Sequence, residues 1–383
     1  MSASRPRVVL VSVGWYGQKY LNEFTQKDLG ADLAGIVDVA EDLEEKYPVI
    51  RERHIPVYHS LEDFYREDHA DLSILVSPIH LHTQMALYCL EKGSHVLCEK
   101  PLCLTEEETR NLEAAGQAAG KILAVGWQLN YDPGVLRLKQ DILSGRFGAP
   151  LRLRCMHAMR RGAAYYKRSN WAGKITLGGH EVLDSPFMNA CAHNFQLMTY
   201  LLGSSAATAA LPAEAEGELF HANPDAENYD IARLRFRTQA GVPLFYETAH
   251  PLRTKNLGQE GLGEFEHARL TWGKGKSLRV TLDTGEELDY GDPEKGNPME
   301  KLAVVLRCME TGEKVPCTPV SGLGHLLAVR MAQALPVQEV AEERKTFFEE
   351  AGDRFLAVEG LEDTFRACLQ GFQLPSEIGR SFS

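Results

Sequence analysis

The residues Cys98-Glu99-Lys100-Pro101-Leu102 place a carboxylate, an ammonium and a rigid ring at the end of the apolar run Val96-Leu97. A short buried strand that ends in charge marks the ligand edge of an open α/β sheet, where the crevice lies outside the carboxyl ends of the strands. A lysine held there by a proline can meet a cofactor. Alone, the tripeptide also describes a surface strand end with an incidental ion pair, so the elements around it must decide.

Those elements begin with Val8-Val9-Leu10-Val11, a continuous apolar strand, followed by Ser12-Val13-Gly14-Trp15-Tyr16-Gly17 and helical periodicity through Leu21 and Phe24. This is a dinucleotide fingerprint G-x-G-x-x-G with Ser12 in the first glycine's place, Gly14 for close approach to a pyrophosphate and Gly17 for helix packing. The next strand, Leu33 to Val37, ends in Asp38, where an acid accepts from the adenosine ribose hydroxyls. A carboxylate there repels a 2′-phosphate, and Val39-Ala40-Glu41-Asp42 brings no arginine to neutralise one, so NAD is expected rather than NADP.

The alternation continues. Ala40 to Tyr47 reads as a charged helix, Ser60 as a helix cap, Asp71 to Ser77 as a buried strand stopped by Pro78, and Met85 to Leu90 as an apolar helix ended by Gly93. Thr105-Glu106-Glu107-Glu108 is a capping box, and Ile122 to Gly126 is one more strand. Repeated βα units predict a Rossmann-type doubly wound parallel sheet.

On these residues the chain resembles the Gfo/Idh/MocA family of NAD(P)-dependent sugar and inositol oxidoreductases. The resemblance rests on the fingerprint turn, Asp38, Ser77-Pro78-Ile79-His80-Leu81-His82 and, above all, Cys98 to Leu102. It implies a cofactor lined by Ser12, Gly14, Trp15, Tyr16, Gly17, Asp38, Ser77, Pro78, His80, His82, Glu99, Lys100 and Gln128. It also implies an α/β NAD-binding domain over 5–127 and an α+β domain over 128–383 whose open, mainly antiparallel sheet serves as a substrate wall and oligomer interface. In the family an acid lies four residues before a helical histidine. Here His193 matches, but Asn189 stands four before it, Asp184 lies five further back, and a later family acid is Gln196. Lys100, His193, Asp184 and Asn189 are therefore the catalytic candidates. Burial and the charge of a nicotinamide ring would disfavour the ammonium form of Lys100, and His193 titrates in the working range of a general base.

The second half is less regular. Val135 to Ser144 reads as a helix and Ala149 to Met156 as a strand, while Arg160 to Arg168 breaks the pattern with charges and aromatics that either cover a polyhydroxy or acidic substrate or form a hydrated turn. Tyr229 to Arg237 and Val242 to Thr248 read as paired strands, with two more at 270–272 and 278–282. Gly258 to Gly263 reads as a flexible turn, His250 as a strand-end residue, and Met299 to Thr311 as a helix packed on the second sheet. Apolar residues on both sides of Val242 to Tyr246 predict a covered second face, hence a homodimer or homotetramer.

A net charge of -12 disfavours nucleic-acid and anionic-membrane partners. The opening residues lack a secretory apolar region, and the eight cysteines show no zinc-site spacing, so reduced thiols in the cytoplasm and no metal are expected. The leading function is an NAD-dependent dehydrogenase acting on CH-OH groups of a carbohydrate or cyclitol. The alternatives are a glycoside-processing enzyme that recycles NAD through a 3-keto sugar and a catalytically inactive nucleotide-binding regulatory subunit.

Overall fold

The computed structural model describes residues 5–14 and 16–383, so Trp15 lies outside the described residues. The chain divides into two compact units, one running to Tyr131 and completed by Asn297–Gly322, the other formed by Asp132–Gly296 and Leu323–Ser383. A single boundary at 127/128 therefore misses a crossing. The helix Glu300–Thr311 buries Leu302, Val304, Val305 and Cys308, and this apolar stripe shows that it must pack without showing on what. It returns to the first unit.

The first unit is built on six strands: β1 (Arg7–Val11), β2 (Asp32–Val37), β3 (Val57–Tyr58), β4 (Leu72–Leu75), β5 (His95–Cys98) and β6 (Leu123–Val125). They pair in parallel in the order β3-β2-β1-β4-β5-β6. Crossover helices cover both faces of such a sheet, which is why its strands are apolar throughout rather than alternating. Ser60 caps the helix Leu61–Glu67 by accepting from the Asp63 N–H, and Thr105 with Glu108 closes the expected capping box on Glu106–Ala119. The helix expected over 40–47 contracts to Leu43–Lys46. The order reverses between β1 and β4, and that switch point is where the fold opens a crevice.

The second unit carries a nine-stranded sheet, mostly antiparallel, with Pro150–Met159 near its middle between Asn256–Phe265 and Pro243–Ala249. The glycine-rich segment read as a turn is thus an inner strand. A Cβ on Gly261 would lie 1.9 Å from the Trp272 ring, so the missing side chain makes room for an indole across the strand, and glycine here reports a close approach rather than flexibility. The segment 212–221, acidic and poor in β-formers, is also a strand, and a C-terminal hairpin (Lys345–Glu350, Asp353–Val358) precedes the helix Leu361–Gly371.

One face of this sheet packs Phe236 and Tyr246 on Phe187 and Phe195, with ring centroids 5.0–6.0 Å apart. On the other face Phe245 and Met156 form a cluster with Leu361, Phe365 and Leu369. The chain's own C-terminal helix therefore covers the apolar second side that the sequence suggested a partner subunit must cover. Beyond it that face is polar, with Arg152 on Glu264 at 2.7 Å and Arg235 on Glu216 at 2.6 Å. Among the described residues no helix is long and apolar enough to cross a membrane.

Candidate functional site

In the first unit the turn after β1 is shaped by backbone geometry. Ser12 takes φ +67°, the left-handed conformation that glycine adopts without cost, so the departure from the fingerprint is tolerated by a small polar residue in a glycine's conformation. Its carbonyl oxygen lies 2.0 Å from where a Cβ on Gly17 would sit, so no side chain fits at 17. Gly17 N–H donates to the Gly14 carbonyl at 3.0 Å and begins the helix Gly17–Gln26. A Cβ on Gly14 would meet nothing within 4 Å, which leaves that side of the turn open at a helix N-terminus, where backbone N–H groups favour an anion.

Asp38 closes the turn. One carboxylate oxygen accepts from the Val13 N–H at 2.8 Å and the other from the Ala40 N–H at 3.0 Å. A carboxylate has about four acceptor sites, so two remain for ribose hydroxyls. A cavity of about 610 Å³ opens here, lined by Ser12, Asp38, Ser77, Pro78 and residues of the following helices, at the carboxyl ends of β1, β2 and β4. Ser77 lines it, and the Ser77 hydroxyl is buried without a hydrogen-bond partner among the described residues. The residues present thus fit a dinucleotide.

Not every expected cofactor contact is one. His82 is buried with Nε2 2.7 Å from the Ser77 carbonyl and Nδ1 2.8 Å from the Pro101 carbonyl, so it ties the two loops together and has no nitrogen left for a ligand. Burial holds its pKa below the ordinary value against the pull of those carbonyls. Pro78 precedes the helix Ile79–Glu91 and His80 lies in its first turn. Glu99 likewise turns inward. Its Oε1 accepts from the Tyr20 hydroxyl at 2.7 Å and from the Lys301 ammonium, while Lys301 also donates to the Tyr16 hydroxyl at 3.2 Å and the Gly126 carbonyl at 3.4 Å. A Cβ on Gly126 would fall 2.7 Å from Glu99 Oε2, so that glycine admits the carboxylate. Tyr16 donates to Gln128 Oε1 at 3.3 Å. Lys100 is the second residue after β5, its backbone N–H 3.3 Å from Glu99 Oε2 and its peptide bond to Pro101 cis.

Lys301 is the residue that sequence reasoning missed. Its one signal is position: it shares a helix stripe with Val304, Val305 and Cys308 at spacings of three, four and seven, and a lysine on an apolar stripe requires a buried counter-charge.

In the second unit the expected continuous helix through Asn189 and His193 is interrupted. Pro186–Ala190 winds as a π-helix capped by Ser185, and the α-helix Ala192–Leu201 starts anew after Cys191. The spacing of four thus does not stack the two side chains in a regular helix. Asp184 is buried, accepts from the Gly173 N–H at 2.6 Å and from Asn189 Nδ2 at 2.9 Å, and so orients the Asn189 amide. His193 is half-buried in the first turn of the α-helix, and the next residue, Asn194, accepts from the Trp272 indole at 3.0 Å and meets His157 at 3.2 Å. His250 is buried against the Tyr166 hydroxyl at 2.9 Å, and burial holds it well below its ordinary pKa. The loop 160–168 includes a short helix, Ala163–Lys167.

A parallel sheet in this order, with an open glycine turn at its switch point and an acid beyond the second strand, defines a dinucleotide-binding α/β protein. Residues 6–127 match the GFO/IDH/MocA oxidoreductase family with its NAD-binding Rossmann fold. The inositol 2-dehydrogenase/D-chiro-inositol 3-dehydrogenase of Shouchella clausii is 30% identical over 161 residues, 42% of this chain and 46% of that protein. The inositol 2-dehydrogenase of Klebsiella pneumoniae subsp. pneumoniae is 27% identical over 194 residues, 50% and 53% of the two chains. The chain spans about half the length of the curated relatives it matches. Among solved structures, the WlbA dehydrogenase from Bordetella pertussis, in complex with NADH and UDP-GlcNAcA, matches with a TM-score of 0.70 at 21% identity over 87% of this chain and 99% of that one. At that identity the likeness concerns the fold, and it includes the second unit.

Proposed function

We propose that the protein is an NAD-dependent oxidoreductase that interconverts a secondary hydroxyl and a ketone on a sugar, sugar acid or cyclitol. The observation that carries this reading is the cavity at the switch point, lined by Ser12 of the β1 turn, Asp38 and Ser77. The naming of the matched relatives as inositol dehydrogenases supports the substrate class. When bound, NAD supplies the hydride acceptor.

The chain's own residues do the rest. The Gly14 turn and the helix behind it receive the pyrophosphate, and Asp38 accepts from the ribose. Lys100, two residues beyond the end of β5, donates from Nζ to the reacting hydroxyl and stabilises its alkoxide character. His193 takes the proton as general base. Asn189 contacts the sugar, and Asp184, which holds the Asn189 amide, is a positioning residue. Eight buried thiols without a disulfide fit a reducing compartment, the cytoplasm.

The test is a carbohydrate and cyclitol panel scored by NADH absorbance, followed by Lys100→Ala and His193→Ala. Each variant is expected to lose about 10²–10⁴ in turnover, the usual effect of removing a positioned acid or base, while NAD still binds. Near wild-type turnover in both would overturn the assignment and favour the regulatory alternative.

A further inference from the structure

The second unit holds a positive charge that the chain does not neutralise. Arg160, Arg161 and Arg168 lie close in sequence but differ in their partners. Arg160 is paired with Glu350 at 2.8 Å and the Arg253 carbonyl at 2.9 Å, which makes it a tie to the C-terminal hairpin. Arg168 lies 3.8 Å from Asp184 and donates to the Tyr165 carbonyl at 2.7 Å. Arg161 is half-buried and has no carboxylate within 4.0 Å among the described residues. Its Nε is buried without a partner, and its Nη2 reaches only the Met159 sulfur at 3.9 Å.

The geometry holds these groups ready. The Tyr165 ring carries both guanidinium groups, Arg168 at 3.6 Å and Arg161 at 4.7 Å from its centroid, and Trp171 lies 4.8 Å from Arg168. Stacking fixes a guanidinium's plane; Arg168 spends Nη1 on the Tyr165 carbonyl and turns Nη2 towards Asp184, so the Nη donors of Arg161 are the ones that remain for an anion. A ring quadrupole is a weaker partner for a cation than a counter-ion, so stacking does not remove the need for one. The neighbouring histidines add no charge, because burial, with Arg161 beside them, keeps His157 and His250 neutral. The nearby acids are already engaged: Asp184 serves Gly173 and Asn189, Asp353 accepts from the Ala164 N–H, and Asp230 accepts from the Ala222 and Asn223 N–H groups. Arg161 is thus the guanidinium of this cluster without a direct carboxylate partner among the described residues, whereas Arg160 has Glu350 and Arg168 has Asp184. A partly buried charge without a partner is costly, and a ligand of opposite charge removes that cost.

We propose that Arg161 and Arg168, stacked on Tyr165, form an anion subsite, and that the substrate carries a carboxylate besides the carbinol that is oxidised. This deepens the proposed dehydrogenase function and rests on it. One arginine without a carboxylate partner, with acids close by, suits a monoanionic carboxylate better than a dianionic phosphate. Because Asp184 touches both Arg168 and Asn189, the subsite adjoins the residue proposed to contact the sugar.

The experiment is calorimetric titration of the NAD-loaded protein with D-glucuronate, D-glucose and D-glucose 6-phosphate, and with the galacto and inositol counterparts, alongside NADH production. The expected result is that within a pair the acid binds at least tenfold tighter than its neutral parent, that Arg161→Gln abolishes the difference, and that Arg161→Lys restores part of it. Equal affinity for acid and neutral parent, with no change in Arg161→Gln, would overturn the subsite. Preference for the phosphate would overturn the carboxylate assignment. Failure of the parent reading looks different: no NAD binding in a separate titration and no NADH from any compound, whether or not acids bind.

Discussion

The Glu99 carboxylate takes the Lys301 ammonium and the Tyr20 hydroxyl on the same oxygen, while its second oxygen lies 3.3 Å from the Lys100 backbone N–H. A helix that arrives 200 residues later in the chain thereby fixes the loop that carries Lys100. Lys301 is fully buried, and burial pulls its pKa down while Glu99 pulls it up. Removing one partner of such a pair leaves the other charged and uncompensated, at about 3–5 kcal/mol. Lys301→Met is therefore expected to lower stability by about that amount in denaturant unfolding, and the double variant with Glu99→Gln to recover much of it. If the double variant were as unstable as the sum of the singles, the pair would not be coupled.

How legible the molecule was follows from where its information lies. The β1 turn, Asp38 and the strand ends at Ser77 and Cys98 are local patterns, and each falls at the carboxyl edge of the parallel sheet. Lys301 was not legible, because its partner is set by tertiary return of the helix, and no local spacing records that. Gly261 misled for a related reason: its reason for being glycine is Trp272 on the next strand. The sheet's covered face was anticipated, but what covers it was not. Leu361, Phe365 and Leu369 form a helical stripe at spacings of four, which shows a buried face and leaves the surface it meets unspecified.

Phe365 tests that cover. It is fully buried against the sheet, and Phe365→Ala is expected to cost about 3–5 kcal/mol. Light scattering of the variant should show more self-association than the wild type at the same concentration, since an apolar sheet face is then less well covered. An unchanged unfolding midpoint would mean the helix contributes little to closing the face.

Cofactor preference tests Asp38. Its two oxygens already hold the Val13 and Ala40 N–H groups, so Asp38→Ala removes both a ribose acceptor and a turn fastening. Wild-type protein is expected to bind NAD more tightly than NADP, and the variant to lose NAD affinity and narrow the difference. Tighter NADP binding by the wild type would sink the assignment.

Gly17 and Ser12 should respond in opposite ways. With a Cβ at 17 placed 2.0 Å from the Ser12 carbonyl oxygen, Gly17→Ala must move the turn, and loss of dinucleotide binding is expected. Ser12→Gly fits the φ of +67° without a Cβ penalty of about 1–2 kcal/mol and should keep binding intact. Equal damage by both would mean that the backbone conformation is not what the turn requires.

The last prediction concerns acid. His157 is buried between Asn194 and Gln259, and burial, reinforced by Arg161, pulls its pKa down to about 4. An unfolded histidine titrates near 6.5, so between about pH 6.5 and 4 the unfolded chain binds a proton that the folded site refuses. Stability is therefore full above 6.5 and falls as the pH drops through that window, by roughly 3 kcal/mol from this residue. His250, also held low by burial, adds in the same direction. His157→Gln keeps a polar side chain but cannot titrate. Denaturant midpoints at pH 7.5 and 4.5 should show the wild type losing more stability than the variant. An equal loss in both would mean that His157 carries its proton in the folded state, and the neutral surroundings assigned to Arg161 would have to be revised with it.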